Sequence, residues 1–156
     1  MVASGSGVRL DELAHNLFDV VTQFCLTVPR GRRRSGDLKE IEFLTLSLLN
    51  QRDTLIVGDI QRQLGVLPAQ MSRIIRALEN RERPLIACRI NPHDKRKIDV
   101  ALTPAGVTAF HEYQTTRVRT ITTVLGKLGE EDLDDLGRLL GKLHDVLAGH
   151  TAAALS

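Results

Sequence analysis

The side chains best suited to binding chemistry in this sequence are the arginines and lysines in its middle. Residues 68–97 hold eight basic and three acidic side chains, although the formal charge of the 156-residue chain is only +2. Residues 127–156 hold three basic and six acidic side chains. A basic middle and an acidic tail predict that one face of the protein binds a polyanion and that another does not.

One part of the basic segment has the spacing of a helix that could contact DNA bases. Pro68 suits the first position of a helix, and an apolar stripe follows at Met71, Ile74, Ile75 and Leu78. The opposite face and its flanks then carry Ala69, Gln70, Ser72, Arg73 and Arg76. A small residue lets a helix approach a duplex, while arginine and glutamine can bind one base edge through two hydrogen bonds. Composition alone explains the two arginines equally well as a solvated helix face.

A second cationic group lies in a predicted β-hairpin. Alternating side chains typical of half-buried strands occur at Ile86, Cys88 and Ile90, and again at Ile98, Val100 and Leu102. The turn-forming segment between them, residues 91–96, places Asp94, Lys95 and Arg96 at the hairpin tip. A long cation there could enter the narrow minor groove of DNA, with the Asp94 carboxylate fixing the direction of a neighbouring arginine. The alternative is a polar turn without a binding role.

The elements that must position these groups form a winged helix. A short amphipathic helix over Val57, Ile60 and Leu64 ends at Gly65, so that the two helices form a helix-turn-helix. Residues 38–49 are apolar on nearly every face, which predicts a buried central helix. With the hairpin added, the predicted fold is mostly α with a small β-hairpin wing.

Helices at both ends of the chain predict a dimer. Apolar side chains repeat at spacings of three and four from Leu10 to Phe24 and from Leu133 to Leu147, and Thr103 and Pro104 suit the start of a helix between them. Because the middle of the chain already forms a compact lobe, these two apolar stripes, called seams below, must be buried against another surface. A two-fold dimer would place its recognition helices one DNA turn apart, roughly 34 Å, which matches a palindromic operator. Packing of the first helix on the last within one chain is the alternative.

Three segments resemble the MarR family of bacterial winged-helix regulators, over roughly residues 38–147. They are LGVLPAQMSRIIRALENR (64–81), RINPHDKRKIDVALTPAG (89–106) and LGEEDLDDLGRLLGKL (128–143). The middle segment is the most specific, because wings of this family follow R-x-x-P-x-D-x-R and lead into a strand ending in L-T-x-x-G.

The resemblance implies roles for individual residues. Arg73 is the arginine of the recognition helix, Arg96 is the arginine of the wing tip, and Asp94 holds Arg96. The terminal helices interlock in a homodimer. Repression is relieved when a small-molecule effector binds in the cleft between the dimerisation helices and the DNA-binding lobe.

The chain also departs from the family pattern. Ile56 and Leu67 stand where serine or threonine usually caps a helix, so both caps are either weakened or rebuilt from other groups. The segment RERP, residues 81–84, replaces a shorter connection between the recognition helix and the wing. Arg76 stands at a position where the family often has an acidic residue.

Other chemistry has weaker support in the sequence. Cys25 near the end of the first helix is a candidate redox thiol, because some branches of the family sense peroxides there, although a buried structural cysteine is commoner. Cys88 is predicted to lie in the core. The basic segment 30–34 is interpreted as a solvated loop, with a second phosphate-binding patch as the alternative. The five histidines show no metal-ligand spacing, so no bound metal is expected. No catalytic motif is found, so the protein is expected to be neither an enzyme nor a cofactor-binding protein.

These observations combine into one expectation. Residues 8–36 form a dimerisation helix and basic loop, residues 37–103 the DNA-binding lobe, and residues 104–156 the C-terminal dimerisation helices. Two cysteines and no secretory or membrane segment favour the cytoplasm. Aromatic residues make up only 3%, which argues against stacking on single-stranded nucleic acid. The expected function is a duplex-DNA-binding transcriptional repressor; the rival is a winged-helix protein-interaction module without DNA activity.

Overall fold

The computed structural model describes residues 4–27 and 37–154, and the side chains of 9–27 and 37–150. In chain order the elements are α1 Ser4–Thr27, α2 Glu40–Gln51, β1 Leu55–Ile56, α3 Val57–Leu64, α4 Pro68–Glu79, β2 Ile86–Ile90, β3 Ile98–Leu102, α5 Pro104–Leu125 and α6 Glu130–Ala154. The predicted mostly helical fold with a hairpin is therefore confirmed. The described residues fall into two compact units, one within 29–117 and one within 1–28 and 118–156.

The first unit, called the lobe below, is built around an aliphatic core. Its largest fully buried apolar side chains are Leu46, Ile60, Met71, Leu78, Ile86 and Val100. They come from α2, α3, α4 and the hairpin, because each of these elements turns one apolar stripe inward. The central helix α2 is less uniformly buried than its composition predicts, since Leu44 is exposed while the charged Glu42 is buried.

Three short antiparallel strands form the sheet of the lobe, in the order β1-β3-β2. The predicted hairpin pairs Ile86 with Leu102 at one end and Ile90 with Ile98 at the other. The structure adds β1, which pairs Leu55 with Val100. A strand of two residues is too short to show an alternating pattern in the sequence.

The alternation in the hairpin correctly predicts burial at only one end. Ile86 and Val100 are buried and Cys88 is half-buried. The prediction of half-buried strands is wrong for Ile90 and Ile98, which are 66% and 45% exposed. The hairpin continues beyond the core, so side chains on its inward face meet solvent at the outer end.

The start of α5 is held against the segment that leads from α4 into the hairpin. Thr103 caps the helix as predicted, because its Oγ1 accepts the Gly106 N–H at 3.1 Å. The same hydroxyl donates to the Pro84 carbonyl at 2.6 Å, and the Thr103 N–H donates to the Leu85 carbonyl at 3.1 Å. Gly106 is required here, since a Cβ at this position would overlap the Leu85 carbonyl oxygen.

The second unit contains the two long helices α1 and α6, whose predicted apolar seams are confirmed as helical. The large side chains exposed on these helices are Leu10, Leu13, Leu17, Phe18, Val20, Val21 and Leu26 in α1, and Leu139, Leu140, Leu143, Val146 and Leu147 in α6. Three acidic residues begin α6, as its dipole favours. Within the described ranges, no helix is long and apolar enough to cross a membrane.

Candidate nucleic-acid interface

Helix α4 has the form expected of a recognition helix. The preceding α3 ends at Gly65, which adopts a left-handed conformation with φ of 64° and donates its N–H to the Gln61 carbonyl at 3.0 Å. Pro68 occupies the first turn of α4, and Leu67 at the N-cap supplies no side-chain hydrogen bond. The N-cap of α4 therefore lacks a side-chain hydrogen bond, as the sequence predicted. The helix is held instead by the buried side chains of Met71, Ile74 and Leu78.

All five residues predicted for the outer face of α4 are solvent-exposed, which confirms the orientation of the helix. They are Ala69, Gln70, Ser72, Arg73 and Arg76. These five residues present two guanidinium groups, one amide and one hydroxyl outward, which offer both hydrogen-bond donors and acceptors, and only Ala69 among them is apolar. Contacts of these side chains with bases remain a prediction.

The loop at the tip of the wing is closed by its own hydrogen bonds. The Asn91 N–H donates to the Lys97 carbonyl at 2.9 Å, and the Lys97 N–H donates to the Asp94 carbonyl at 3.0 Å. The Asn91 side chain accepts the N–H groups of His93 and Asp94 through Oδ1, at 2.9 and 3.0 Å. Its Nδ2 donates to Asp99 Oδ1 at 2.9 Å. One asparagine thus ties the loop to itself and to strand β3.

At the tip, Asp94 holds Arg96 as the sequence predicted. Asp94 Oδ1 accepts the Arg96 backbone N–H at 3.0 Å and Nε–H at 3.2 Å, and Oδ2 accepts from Nη2 at 3.4 Å. Hydrogen bonds from the Arg96 side chain, and then from its backbone N–H, lower the pKa of the Asp94 carboxyl. The Arg96 side chain is 91% exposed, so its direction is fixed while its guanidinium stays accessible. Lys95 beside it is also exposed.

An ion pair that the sequence did not reveal joins the end of the α4 segment to the start of α2. Glu42 is only 4% exposed, and its Oε1 accepts the Lys39 N–H at 2.8 Å. The same oxygen lies 3.6 Å from Arg81 Nη2. Arg81 is therefore engaged inside the lobe, and the remaining arginine of the RERP segment, Arg83, is exposed.

Helix α2 is also fixed to α5 by aromatic rings. The ring of Phe43 stacks on Phe110 with centroids 5.3 Å apart and on Tyr113 at 4.2 Å. Arg117 lies over the Tyr113 ring at 4.9 Å and donates to its hydroxyl at 2.5 Å. No local pattern in the sequence predicts this stack, because the rings are brought together only by the packing of two helices.

The two cysteines differ in environment. Cys25 on α1 is exposed, so the expected burial of this thiol is not found in the single chain. Cys88 on β2 is half-buried, and burial together with the carboxylate of Glu79 raises its pKa to about 11. Residues 30–34, the predicted basic loop, lie outside the described residues. Among described residues, no three histidine, cysteine or acidic side chains are grouped closely enough to hold a metal ion.

Comparison with solved structures identifies the fold. YusO from Bacillus subtilis matches with a TM-score of 0.63 and 23% identity, over 93% of this chain and 99% of that chain. BpsR from Bordetella bronchiseptica, whose DNA binding is regulated by 6-hydroxynicotinic acid, matches with a TM-score of 0.61 and 21% identity over 85% and 98%. PcaV from Streptomyces coelicolor in complex with its natural ligand matches with a TM-score of 0.54 and 17% identity over 93% and 98%. A comparison with curated proteins gave no significant match.

The sequence of the lobe is itself similar to a known family. The model of the MarR family matches residues 38–98, which run from the approach to α2 through the recognition helix and the wing tip to the first residue of β3. Members of that family are transcription regulators and not enzymes, so the fold and the similarity both point to a protein that is not an enzyme. Through its winged-helix lobe, over residues 38–98, the chain is similar to the MarR family of DNA-binding transcription regulators.

Proposed function

We propose that the chain binds a palindromic duplex operator as a homodimer, with α4 in the major groove and the wing tip in the neighbouring minor groove. The observation that carries the proposal is the exposed cationic surface of the lobe. Arg73 and Arg76 project from the outer face of α4, and Arg96 is directed by Asp94 at the wing tip. Arginine at these two places suits bidentate contacts with base edges and the negative potential of a narrow minor groove.

The homodimer is supported by the exposed seams of α1 and α6. Leu13 and Leu17 in one helix and Leu140 and Leu143 in the other repeat at helical spacing, and all four are exposed in the single chain. Continuous apolar stripes of this kind mark interfaces in soluble proteins. Two-fold pairing presents two recognition helices to a site with the same symmetry.

Regulation by a small molecule fits the proteins that share this fold. DNA binding by BpsR is regulated by 6-hydroxynicotinic acid, and PcaV is found with a natural ligand. For this chain, the proposal is a repressor that acts in the cytoplasm and excludes polymerase from its operator. A small effector that changes the spacing of the two recognition helices would release the repressor from its operator.

Salt titration of duplex binding tests the proposal. A protein that contacts several phosphates displaces counterions, so its affinity should fall roughly 10³-fold or more between about 50 and about 200 mM salt. Selection of bound fragments from random duplexes should then return a palindrome, which reports the two-fold symmetry. A protein that binds no duplex at the lower salt concentration would instead be an interaction module.

A further inference from the structure

The outer end of the hairpin carries two exposed isoleucines that the functional roles above do not use. Ile90 and Ile98 face each other across β2 and β3, and residues paired in this way project from the same side of a sheet. They are 66% and 45% exposed. We call them the isoleucine pair.

The isoleucine pair lies on the inward face of the hairpin, in line with the core. Because side chains alternate along a strand, Ile90 shares its face with Cys88, and Ile98 shares its face with Val100. Val100 is 0% exposed and Cys88 is half-buried. The apolar face of the sheet thus continues past the core of the lobe and leaves two branched aliphatic side chains in solvent, where such surface is unfavourable.

The charges around the isoleucine pair indicate what covers it. Two exposed cations, Lys95 and Arg96, lie in the loop that joins the two isoleucines. Arg89 and Lys97 are also exposed, but as direct neighbours of Ile90 and Ile98 they project from the opposite face of the hairpin. The two carboxylates of the hairpin are engaged, Asp94 by Arg96 and Asp99 by the amide of Asn91. A partner that fits this surface carries negative charge next to an apolar strip. Duplex DNA has this arrangement in its minor groove, where phosphates border deoxyribose C–H groups.

We propose that the isoleucine pair packs against the deoxyribose wall of the minor groove when the wing binds DNA. Lys95 and Arg96 at the tip then reach the bordering phosphates, and the hydrogen bonds of Asn91 fix the shape of the loop next to the pair. The contact supplies affinity by burying apolar surface, which differs from the electrostatic contribution of Arg96. This inference rests on the proposed function.

Two double variants with the same side-chain shape test it. Ile90→Val with Ile98→Val keeps an apolar pair, whereas Ile90→Thr with Ile98→Thr replaces one methyl of each valine by a hydroxyl. Valine and threonine are both β-branched, so the strands keep their conformational preference. Affinity for a duplex of about three helical turns is measured as a function of salt, and thermal unfolding checks that both variants fold.

The threonine variant should bind on the order of tenfold more weakly than the valine variant, because its hydroxyls lose water in an apolar contact. The slope of affinity against salt should be the same for both, because no phosphate contact is removed. Hydroxyl-radical cleavage of deoxyribose should show weaker protection by the threonine variant at the wing positions.

Equal affinity of the two variants for DNA would overturn the inference while leaving the proposed function intact. Without DNA, a lower molecular mass of the threonine variant than of the parent protein would also overturn the inference. A second copy of the chain, and not DNA, would then cover the isoleucine pair in the parent. Absence of duplex binding by the parent protein would remove the proposed function and the inference together.

Discussion

Two arginines on the proposed DNA-facing surface are expected to act differently because their surroundings differ. Arg96 is held by Asp94 at a loop tip, so Arg96→Ala should remove an interaction with the groove edge and weaken binding to all duplexes alike. The slope of log affinity against log salt should become smaller by about 1. Arg73 lies on the recognition helix, and Arg73→Ala should reduce discrimination between operator and random duplex by about 1–3 kcal/mol for each base that Arg73 reads.

Both measurements use titration of operator and random duplexes at several salt concentrations. Arg138→Ala removes an exposed arginine from the acidic C-terminal segment and is the charge-matched control. Thermal stability should be nearly unchanged in all three variants, because these side chains are exposed. Unaltered binding by Arg96→Ala would show that the wing does not touch DNA, and unaltered discrimination by Arg73→Ala would exclude base recognition by that residue.

The thiol of Cys88 is expected to be unreactive while the lobe is folded. Its pKa is raised to about 11 by burial and by Glu79, so at pH 8 roughly one molecule in a thousand carries the reactive thiolate. In a Cys25→Ser variant, iodoacetamide should therefore label the native protein slowly, and faster as the pH is raised towards 11. Denaturant should restore labelling at pH 8 to the rate of a free thiol. Rapid labelling of the folded variant at pH 8 would contradict this environment for Cys88.

At the scale of elements, the wing and α5 depend on one close backbone approach. A Cβ on residue 106 would overlap the Leu85 carbonyl oxygen, so Gly106→Ala must push α5 away from the segment before β2. We expect a decrease of about 1–3 kcal/mol in the free energy of unfolding, which is typical of overpacking. Gly58→Ala in α3 is the matched control, because a Cβ there has no neighbour within 4 Å and should be neutral or slightly stabilising. Denaturant unfolding of both variants measures the difference, and equal stability would show that the overlap relaxes without cost.

The elements also show which parts of the structure can be predicted from sequence. In α3, α4 and the hairpin, the apolar side chains repeat within a few residues of each other along the chain. This local repeat predicts both the helix-turn-helix and the exposed face that carries Arg73. Contacts between distant segments leave no such pattern. The Glu42–Arg81 ion pair and the stacking of Phe43 on Tyr113 exist only because α2 packs against other elements. The prediction for Ile90 is wrong for the same reason, because alternation indicates the face of a strand but not where the core beneath it ends.

For the whole molecule, the apolar seams connect oligomeric state to operator recognition. Leu17 lies in the middle of the α1 seam and is exposed in the single chain. Leu17→Glu keeps helix propensity but would place an unpaired carboxylate in the proposed interface, which is strongly unfavourable. Light scattering should therefore show a protein of half the parent mass.

Disruption of the dimer should affect a palindrome far more than a single half-site. Two linked lobes bind the second half-site as an intramolecular step, so separating them should lower palindrome affinity by about 10²-fold or more. Binding to an isolated half-site should change little, because the lobe keeps its own core and cationic surface. Leu17→Met preserves the apolar seam and should match the parent in mass and in affinity for both duplexes. If Leu17→Glu keeps the parent mass and binds the palindrome equally well, this seam of α1 packs within one chain and the two-fold interface lies elsewhere.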